Sequence, residues 1–534
     1  MDSKPSCEQT PTVLYKEPKA RHHKLYWRIA LAVAAVFVIS CVHQFQFETN
    51  SAFPTKCPLN PPPPTTRFIE NRARLHHVLG VAVPSYGDSN ATLIAIPTGS
   101  RPGRDNSDME MVAWRPSGNV MYIMGEFSVS DALLVLEANA DKSDLEVTVF
   151  FPNQTQRELV FSGGFPDDTI LRNEFGVLRA KKMSEFASYV RNRTVITTSK
   201  HGVARALGRV PEGTSIVESE ELKGALQEAR FVKSQDELEA IAYASRVARW
   251  VHGEMEKSIR NSKHLNEITL ASLFAHLSSL CGSRLQAYSP IVGAGRHASI
   301  LHYRTGENET TGYASIDSPN FVLIDAAGEY QGYASDMTRT YPRRGKWSKK
   351  MTLVHAIVEK TQRKAIETYE LGVELAEINK VATRTLLKEL VQHRFFKEGV
   401  DIEELVNERA DYIFMPHGLG HPVGLDVHDP TPQVHRLMTA SSLVSGGYPA
   451  SLPWFVTLSD PPANYKIFPG HVMTIEPGVY FIPELWKQIK QDTEGIGRFV
   501  NWDRVEEFVD VGGVRIEDVV MIDRHGKKRI VTRE

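Results

Sequence analysis

The stretch NFVLIDAAGEYQGYASDMTRTYP, residues 320–342, decides the fold. Asp325 ends an apolar, strand-like run, and Asp336 follows eleven residues later. With a reversal centred on Tyr330-Gln331, positions 325 and 336 stand opposite each other on paired strands. Opposed side chains share one face, about 5 Å apart. Two like charges at that spacing repel unless a cation lies between them. The alternative, two solvated strand ends, requires no cation.

Two more carboxylates follow the same pattern. In GHVMTIEPGVYF, residues 470–481, Glu476 closes the apolar run VMTI, and a buried carboxylate there needs a partner. In GGVRIEDVVMI, residues 512–522, Glu517 shares a face with Arg515 two residues earlier, while Asp518 points the other way. A surface ion pair between Arg515 and Glu517 is the plainer alternative. Residues 417–429, HGLGHPVGLDVHD, add three histidines. Four carboxylates balance two divalent cations in charge. Oxygen-rich ligation with one or two imidazoles suits manganese, and less selectively cobalt or zinc. Water held between two such ions ionises near neutral pH and becomes a nucleophile. The residues alone therefore point to a binuclear metal hydrolase.

The chain has 534 residues, 42% apolar and 24% charged, with a formal charge of −2. That length implies two or three domains. Near-neutral charge gives no electrostatic support for a nucleic-acid partner. From about 68 to 230, strand-like runs such as NATLIAIP and LEVTVFFPN alternate with helical ones, including one at 183–191. A boundary falls near 230. Ser234 and Glu237 form a capping-box pattern, and Leu238, Ile241, Ala242, Ser245, Ala248, Val251, Met255 and Ile259 follow helical spacing. Further helices are expected at 266–280, 348–371 and 375–392, with strands at 320–341, 470–481 and 513–523. Helices precede strands in each half, a motif-level hint of a repeat. The fold class is α/β (α+β). Residues 430–468 and 484–510 read as insertions near a site rather than as core.

Five ordered motifs, ILHY at 300–303, IDAAGEYQGYASDMTRTYP, HGLGHPVGLDVHD, TIEPGVY and GGVRIEDVV, resemble the pita-bread metallopeptidases, within them the proline-specific branch of prolidase and aminopeptidase P. The matching segments run from about 231 to 534. Residues 68–230 resemble the family's creatinase-like N-terminal domain more loosely. The resemblance implies five metal ligands: Asp325, Asp336, His421, Glu476 and Glu517. Asp336 and Glu517 would bridge two metals, with Asp325 completing one shell and His421 and Glu476 the other. Glu476 would also act as general base. His302 would sit near the substrate carbonyl, and His428 would stabilise charge at the scissile peptide. His417 would shape the proline pocket, and Arg515 would brace the site. The implied activity is hydrolysis of the bond between an N-terminal residue and a following proline, on a dipeptide or a longer peptide. A homodimer is implied by resemblance only. His297, His355 and His471 read as structural.

Two positions depart from the family pattern. Pro422 follows His421 where a bulky residue is usual. Pro462 occupies the place where prolidases carry an arginine for the dipeptide carboxylate, with Lys466 as a conceivable substitute and Trp454 and Phe455 nearby. Competing readings are a tailoring hydrolase with a non-proline substrate and a peptide-binding module without activity. Creatinase-like members lack the ligands, and all five are present here.

The N-terminus reads separately. Residues 29–42 form an uncharged apolar run after Lys16, Lys19, Arg21, Lys24 and Arg28. This fits a signal anchor over 25–47, nearly the roughly 20 residues a span needs, with residues 1–24 as a cytosolic tail. Cleavage of the anchor would give a secreted form. Residues 48–67 read as a Pro-rich stalk. Sequons at Asn90, Asn153, Asn192 and Asn308 favour a lumenal or extracellular body. The four cysteines show no CxxC pairing. At most one bridge, Cys57–Cys281, could form outside a membrane, and the spacing does not favour it.

Overall fold

The computed structural model describes residues 54–62, 67–83, 86, 92–103, 114–139, 144–261, 265–306, 321–431, 465–491 and 494–534. The expected tail and anchor, Asn90, Asn308, Trp454, Phe455 and Pro462 lie outside these residues. Among the described residues, no helix is long and apolar enough to cross a membrane.

The first part is a six-stranded mixed sheet. Its strands are β1 (Thr92–Pro97), β2 (Leu133–Ala138), β3 (Leu145–Phe151), β4 (Arg179–Lys182), β5 (Thr194–Thr197) and β6 (Ser215–Glu218), in the order β4-β3-β2-β1-β5-β6. The central strands are apolar on both faces. Ile94, Ile96, Leu134, Leu136, Val147 and Val149 enter one core, and Leu93, Ala95, Leu133, Val135 and Phe150 the other. The alternation is the two-residue period of a strand covered on both sides. Helix α1 (Arg67–Ala82) packs on the first face, as does α2 (Glu220–Phe231), whose Leu222, Ala225, Leu226 and Ala229 join that core. The expected helix at 183–191 is a short 3₁₀ turn followed by Phe186–Tyr189.

The second part begins with α3 (Gln235–Asn261). Its capping box forms: Ser234 N–H donates to Glu237 Oε2 at 2.7 Å, and Glu237 N–H donates to Ser234 Oγ at 3.3 Å. All eight positions of the expected helical stripe are buried. Each large aliphatic side chain so buried stabilises the fold by about 1.5–3 kcal/mol. α3 and α4 (Glu267–Leu280) precede a three-stranded sheet of β7 (Ile291–Ala294), β8 (Phe321–Asp325) and β11 (Thr338–Pro342). Between β8 and β11 lies a small hairpin, β9 (Glu329–Tyr330) with β10 (Tyr333–Ala334). The second half repeats the order. α5 (Lys349–Thr368) and α6 (Leu375–Gln392) precede β12 (Val472–Ile475), β13 (Gly478–Tyr480), β14 (Gly513–Arg515), β15 (Asp518–Ile522) and β16 (Lys528–Ile530).

Three expectations are corrected. First, the 320–342 reversal centres on Gln331-Gly332, not Tyr330-Gln331. Tyr330 pairs with Tyr333, and Asp325 pairs with Thr338 rather than Asp336. Gln331 (φ 50°) and Gly332 (φ 81°) both have positive φ, as a two-residue turn matched to strand twist requires. Moving the centre by one residue moves the partner by two. Side-chain parity therefore survives, and Asp325 and Asp336 become diagonal neighbours on one face. Second, the apolar residues between 484 and 510 enter the core. Leu485, Trp486 and Ile489 on α7 (Pro483–Gln491) join Ile496, Phe499, Val505 and Phe508 in one cluster. Their helical spacing is masked in sequence by intervening charges. Third, Cys57 and Cys281 form a disulfide with Cα atoms 5.0 Å apart. Spacing gave no sign of it, because the partners are 224 residues apart and only the fold brings them together.

Native alkylation and mass spectrometry should find Cys57 and Cys281 protected until reduction. Cys57→Ser should lower unfolding stability by about 2–5 kcal/mol, read by denaturant melts with and without reductant.

Candidate metal centre

A hairpin, β8 to β11, and a second antiparallel strand arrangement, β12–β13 against β14–β15, supply the acidic groups. The β12–β15 pair aligns Ile475 with Asp518, and the β13–β14 pair aligns Gly478 with Arg515. Both ladders keep one register, so Glu476 and Glu517 fall opposite each other in the interruption between them. The hairpin meets the second arrangement at Thr338. Glu517 N–H donates to Thr338 O at 3.1 Å, and Thr338 Oγ1 donates to Glu517 Oε2 at 2.7 Å. Tyr288 OH reaches both aspartates of the hairpin, Asp325 Oδ1 at 2.6 Å and Asp336 Oδ1 at 2.5 Å. Arg515 donates to Asp325 Oδ2 at 2.6 Å, Tyr480 OH at 2.8 Å and Thr338 Oγ1 at 3.2 Å. It thus braces the site chiefly through Asp325, and the surface pair with Glu517 is replaced by a buried network. Asp518 makes a separate set of contacts, to Arg339, Arg533, Thr532 and Gln362.

Pro422 has a plain backbone explanation. Residues 419–423 run antiparallel beside β12, with Thr474 N–H donating to His421 O and Val423 N–H to Val472 O. Pro422 faces Met473 in the pair that exchanges no hydrogen bonds, where a missing N–H costs nothing. Its carbonyl lies 3.1 Å from His421 Nδ1. That contact places the proton on Nδ1 and leaves Nε2 for a metal. Nε2 points at Asp336 Oδ2 and Glu476 Oε1, each 3.4 Å away. Donor atoms of Asp336, His421 and Glu517 all lie within 4.8 Å of one another.

The electrostatics of the cluster suit a bound cation. Burial, then the charges of Asp336, Glu476 and Asp325, pushes Glu517 well above the usual carboxylate range. Glu476 rises to about 7, from burial and from Asp336 and Asp325, against the pull of His421. Asp325 is also raised by burial, against Arg515. Burial would depress His421, yet its bond to Asp336 and the charge of Glu476 hold it up to about 9. Asp336 resists burial and is lowered, through its bonds to His421 and Tyr288. A cluster this short of positive charge, with oxygen donors and one oriented imidazole, suits divalent cations.

The remaining expected residues line the same cavity of about 1740 Å³: His302, His417, His428 and Arg515, together with Tyr288. His302 and His428 are exposed to it. The His428 ring lies 4.1 Å from the His421 ring, centroid to centroid. Desolvation, then the His421 charge, pushes His428 below its ordinary range. His417 Nδ1 donates to Gly418 O at 2.7 Å, so Nε2 accepts from Tyr480 OH at 3.0 Å. Burial and Arg515 hold it down to about 3, and it is neutral. Lys466 is not among the cavity-lining residues and pairs through its backbone with Glu374. Of the residues with no expected role, Tyr288 and Thr338 bond the acidic groups directly, and Tyr480 holds Arg515 and His417. Thr338, two residues after Asp336, carried the one available signal, since the strand period puts it on the same face. His297 and His471 are structural, bonded to Glu267 and to Tyr369 with Tyr465.

The fold and the acidic pocket define a class, the two-domain metallopeptidases of aminopeptidase P architecture. The chain belongs to metallopeptidase family M24, whose model matches residues 239–524, and the aminopeptidase P N-terminal domain model matches 68–200. Among its relatives is a probable Xaa-Pro aminopeptidase of Coccidioides posadasii, 32% identical over 394 residues, covering 72% of this chain and 76% of the relative. Another, of Metarhizium robertsii, is 27% identical over 459 residues, covering 82% and 87%. In fold the chain is similar to aminopeptidase P from E. coli, with a TM-score of 0.67 at 23% identity, covering 87% of this chain and 94% of that one. Divalent-metal use follows from family membership and the donor set.

A pH prediction follows. Groups raised in the fold, Glu476 to about 7 and His421 to about 9, contribute stability below their unfolded values and lose it as pH rises through the folded ones. Metal-free protein should lose stability between pH 5.5 and 8.5 at this cluster, and metal should restore it. The rise in Tm on adding manganese should therefore be larger at pH 8.5 than at pH 5.5, by differential scanning fluorimetry.

Proposed function

We propose that the chain is an Xaa-Pro aminopeptidase that binds two divalent cations, manganese by preference, and cleaves the bond between an N-terminal residue and a following proline. The observation that carries this is the convergence of Asp325, Asp336, His421, Glu476 and Glu517 on one cavity with His302, His417 and His428. The names of its relatives supply the bond cleaved. The cavity continues past the acidic cluster to Leu375, Asn379 and Lys380 on α6, room that favours peptides longer than two residues.

Two bound cations supply Lewis acidity and an activated water. Asp325, Asp336, His421, Glu476 and Glu517 would hold them. Glu476 takes the water's proton at a carboxylate oxygen and passes it to the proline nitrogen as the C–N bond breaks. His302 and His428 donate N–H groups to the oxygen that gains charge. Neutral His417, held through Tyr480 and Arg515, offers a ring face to the proline.

The chain organisation belongs to the same proposal: tail 1–24, anchor 25–47, stalk 48–67, N-terminal domain 68–230 and catalytic domain 231–534. The catalytic body is lumenal or extracellular, with a secreted form on anchor cleavage, and the protein is a homodimeric glycoprotein. The Cys57–Cys281 disulfide supports an oxidising compartment, and Asn153 and Asn192 are exposed as acceptors must be.

Hydrolysis of Xaa-Pro dipeptides and Xaa-Pro-Xaa tripeptides should be compared with manganese, before and after chelation. The tripeptide should be preferred, and chelation should abolish turnover. No cleavage of either substrate by metal-loaded protein would sink the assignment. Asp325→Asn should lose one metal per chain by elemental analysis, and turnover should fall on the order of 100-fold.

A further inference from the structure

Outside the acidic centre, a largely buried charged cluster joins the two parts of the chain. Arg230, at the end of α2, is buried. Its Nη2 donates to Asp426 Oδ2 and Asp429 Oδ1, each at 2.6 Å, and its Nη1 donates to Asn119 Oδ1 at 2.8 Å. Lys233 Nζ, 1% exposed, donates to Asp429 Oδ2 at 2.9 Å. From the N-terminal part, Arg115 donates to Asp426 Oδ1 at 2.9 Å and Leu425 O at 2.8 Å, and pairs with Glu329 on β9 at 3.1 Å. These contacts fall on both sides of one residue, His428.

The loop is closed on itself as well. Asp429 N–H donates to Pro422 O, Gly424 N–H to Asp426 O, and Asp426 N–H to Asp429 Oδ1. Space is kept for the cluster by glycines. A Cβ at Gly118 would lie 2.6 Å from both Arg230 and Asp426, and one at Gly424 would lie 2.6 Å from Asp429. Among the described residues Arg230 Nε has no hydrogen-bond partner, so the guanidinium is oriented for the two aspartates at the expense of one donor.

We propose that Arg115 and Arg230, acting on Asp426 and Asp429, are positioning residues for His428, so that the N-terminal domain sets the geometry of charge stabilisation at the scissile bond. A fold needing only cohesion at this place would be served as well by apolar packing. Directional pairs on both flanks of His428, buried at Asp429 and partly exposed at Asp426, fix one loop conformation instead. The proposal rests on the reading of His428 as a donor to the reacting carbonyl oxygen.

The test uses the metal-loaded full chain and an Xaa-Pro-Xaa tripeptide. Asp426 and Arg115 are partly exposed, so Asp426→Asn and Arg115→Met should fold. Each should lower kcat about 10- to 100-fold while KM and metal content stay unchanged, and Arg115→Lys should recover part of the loss. Adding Asp426→Asn to His428→Ala should cost nothing further in kcat, since both act through one group. Losses that multiply in the double variant, or an unchanged kcat in both Asp426→Asn and Arg115→Met, overturn the proposal. An unchanged kcat in His428→Ala alone overturns the reading of His428, and with it this inference.

Discussion

Four carboxylates are gathered with little exposure to water, and the rest of the structure answers that concentration of like charge. Desolvation, and then their mutual repulsion, raises Glu517, Glu476 and Asp325 together. Such a cluster persists in a fold only where other groups hold it or a cation repays it. The chain supplies both routes. Arg515 and Tyr288 grip the aspartates, Thr338 and Thr474 grip the glutamates, and the one imidazole in contact turns Nε2 toward them.

The strand pairs bring the acids together. Asp325 ends β8 within the ladder, while Asp336, Glu476 and Glu517 sit where the ladders are interrupted. The Thr338–Glu517 contacts lock one strand pair to the other. Helices α3 to α6 bury the outer faces of the strands, so displacing either strand pair would open a core rather than a loop. Rigidity at the cluster therefore derives from packing several residues away.

The histidines divide by partner rather than by proximity in sequence. His417 is tied to a carbonyl and to Tyr480, and stays neutral. His421 is aimed at the acids by the Pro422 carbonyl. His428 lies open to the cavity on a loop clamped by buried ion pairs. Three residues of one type within twelve positions thus have three electrostatic environments.

The sequence by itself determined the acids, their strand context, the α3 capping box and the apolar stripe behind it. Each depends on a local period or on contacts three or four residues apart. Diagonal rather than opposite placement of Asp325 and Asp336 was decided by the turn at Gln331-Gly332, since a one-residue change of centre is invisible to a two-residue period. Tyr288, Tyr480 and the Cys57–Cys281 bond came only with the tertiary structure. So did the burial of 484–510 and the pairing of Arg115 and Arg230 with the His428 loop. Their partners lie tens to hundreds of residues away, where nothing in local spacing records which side chain will be met.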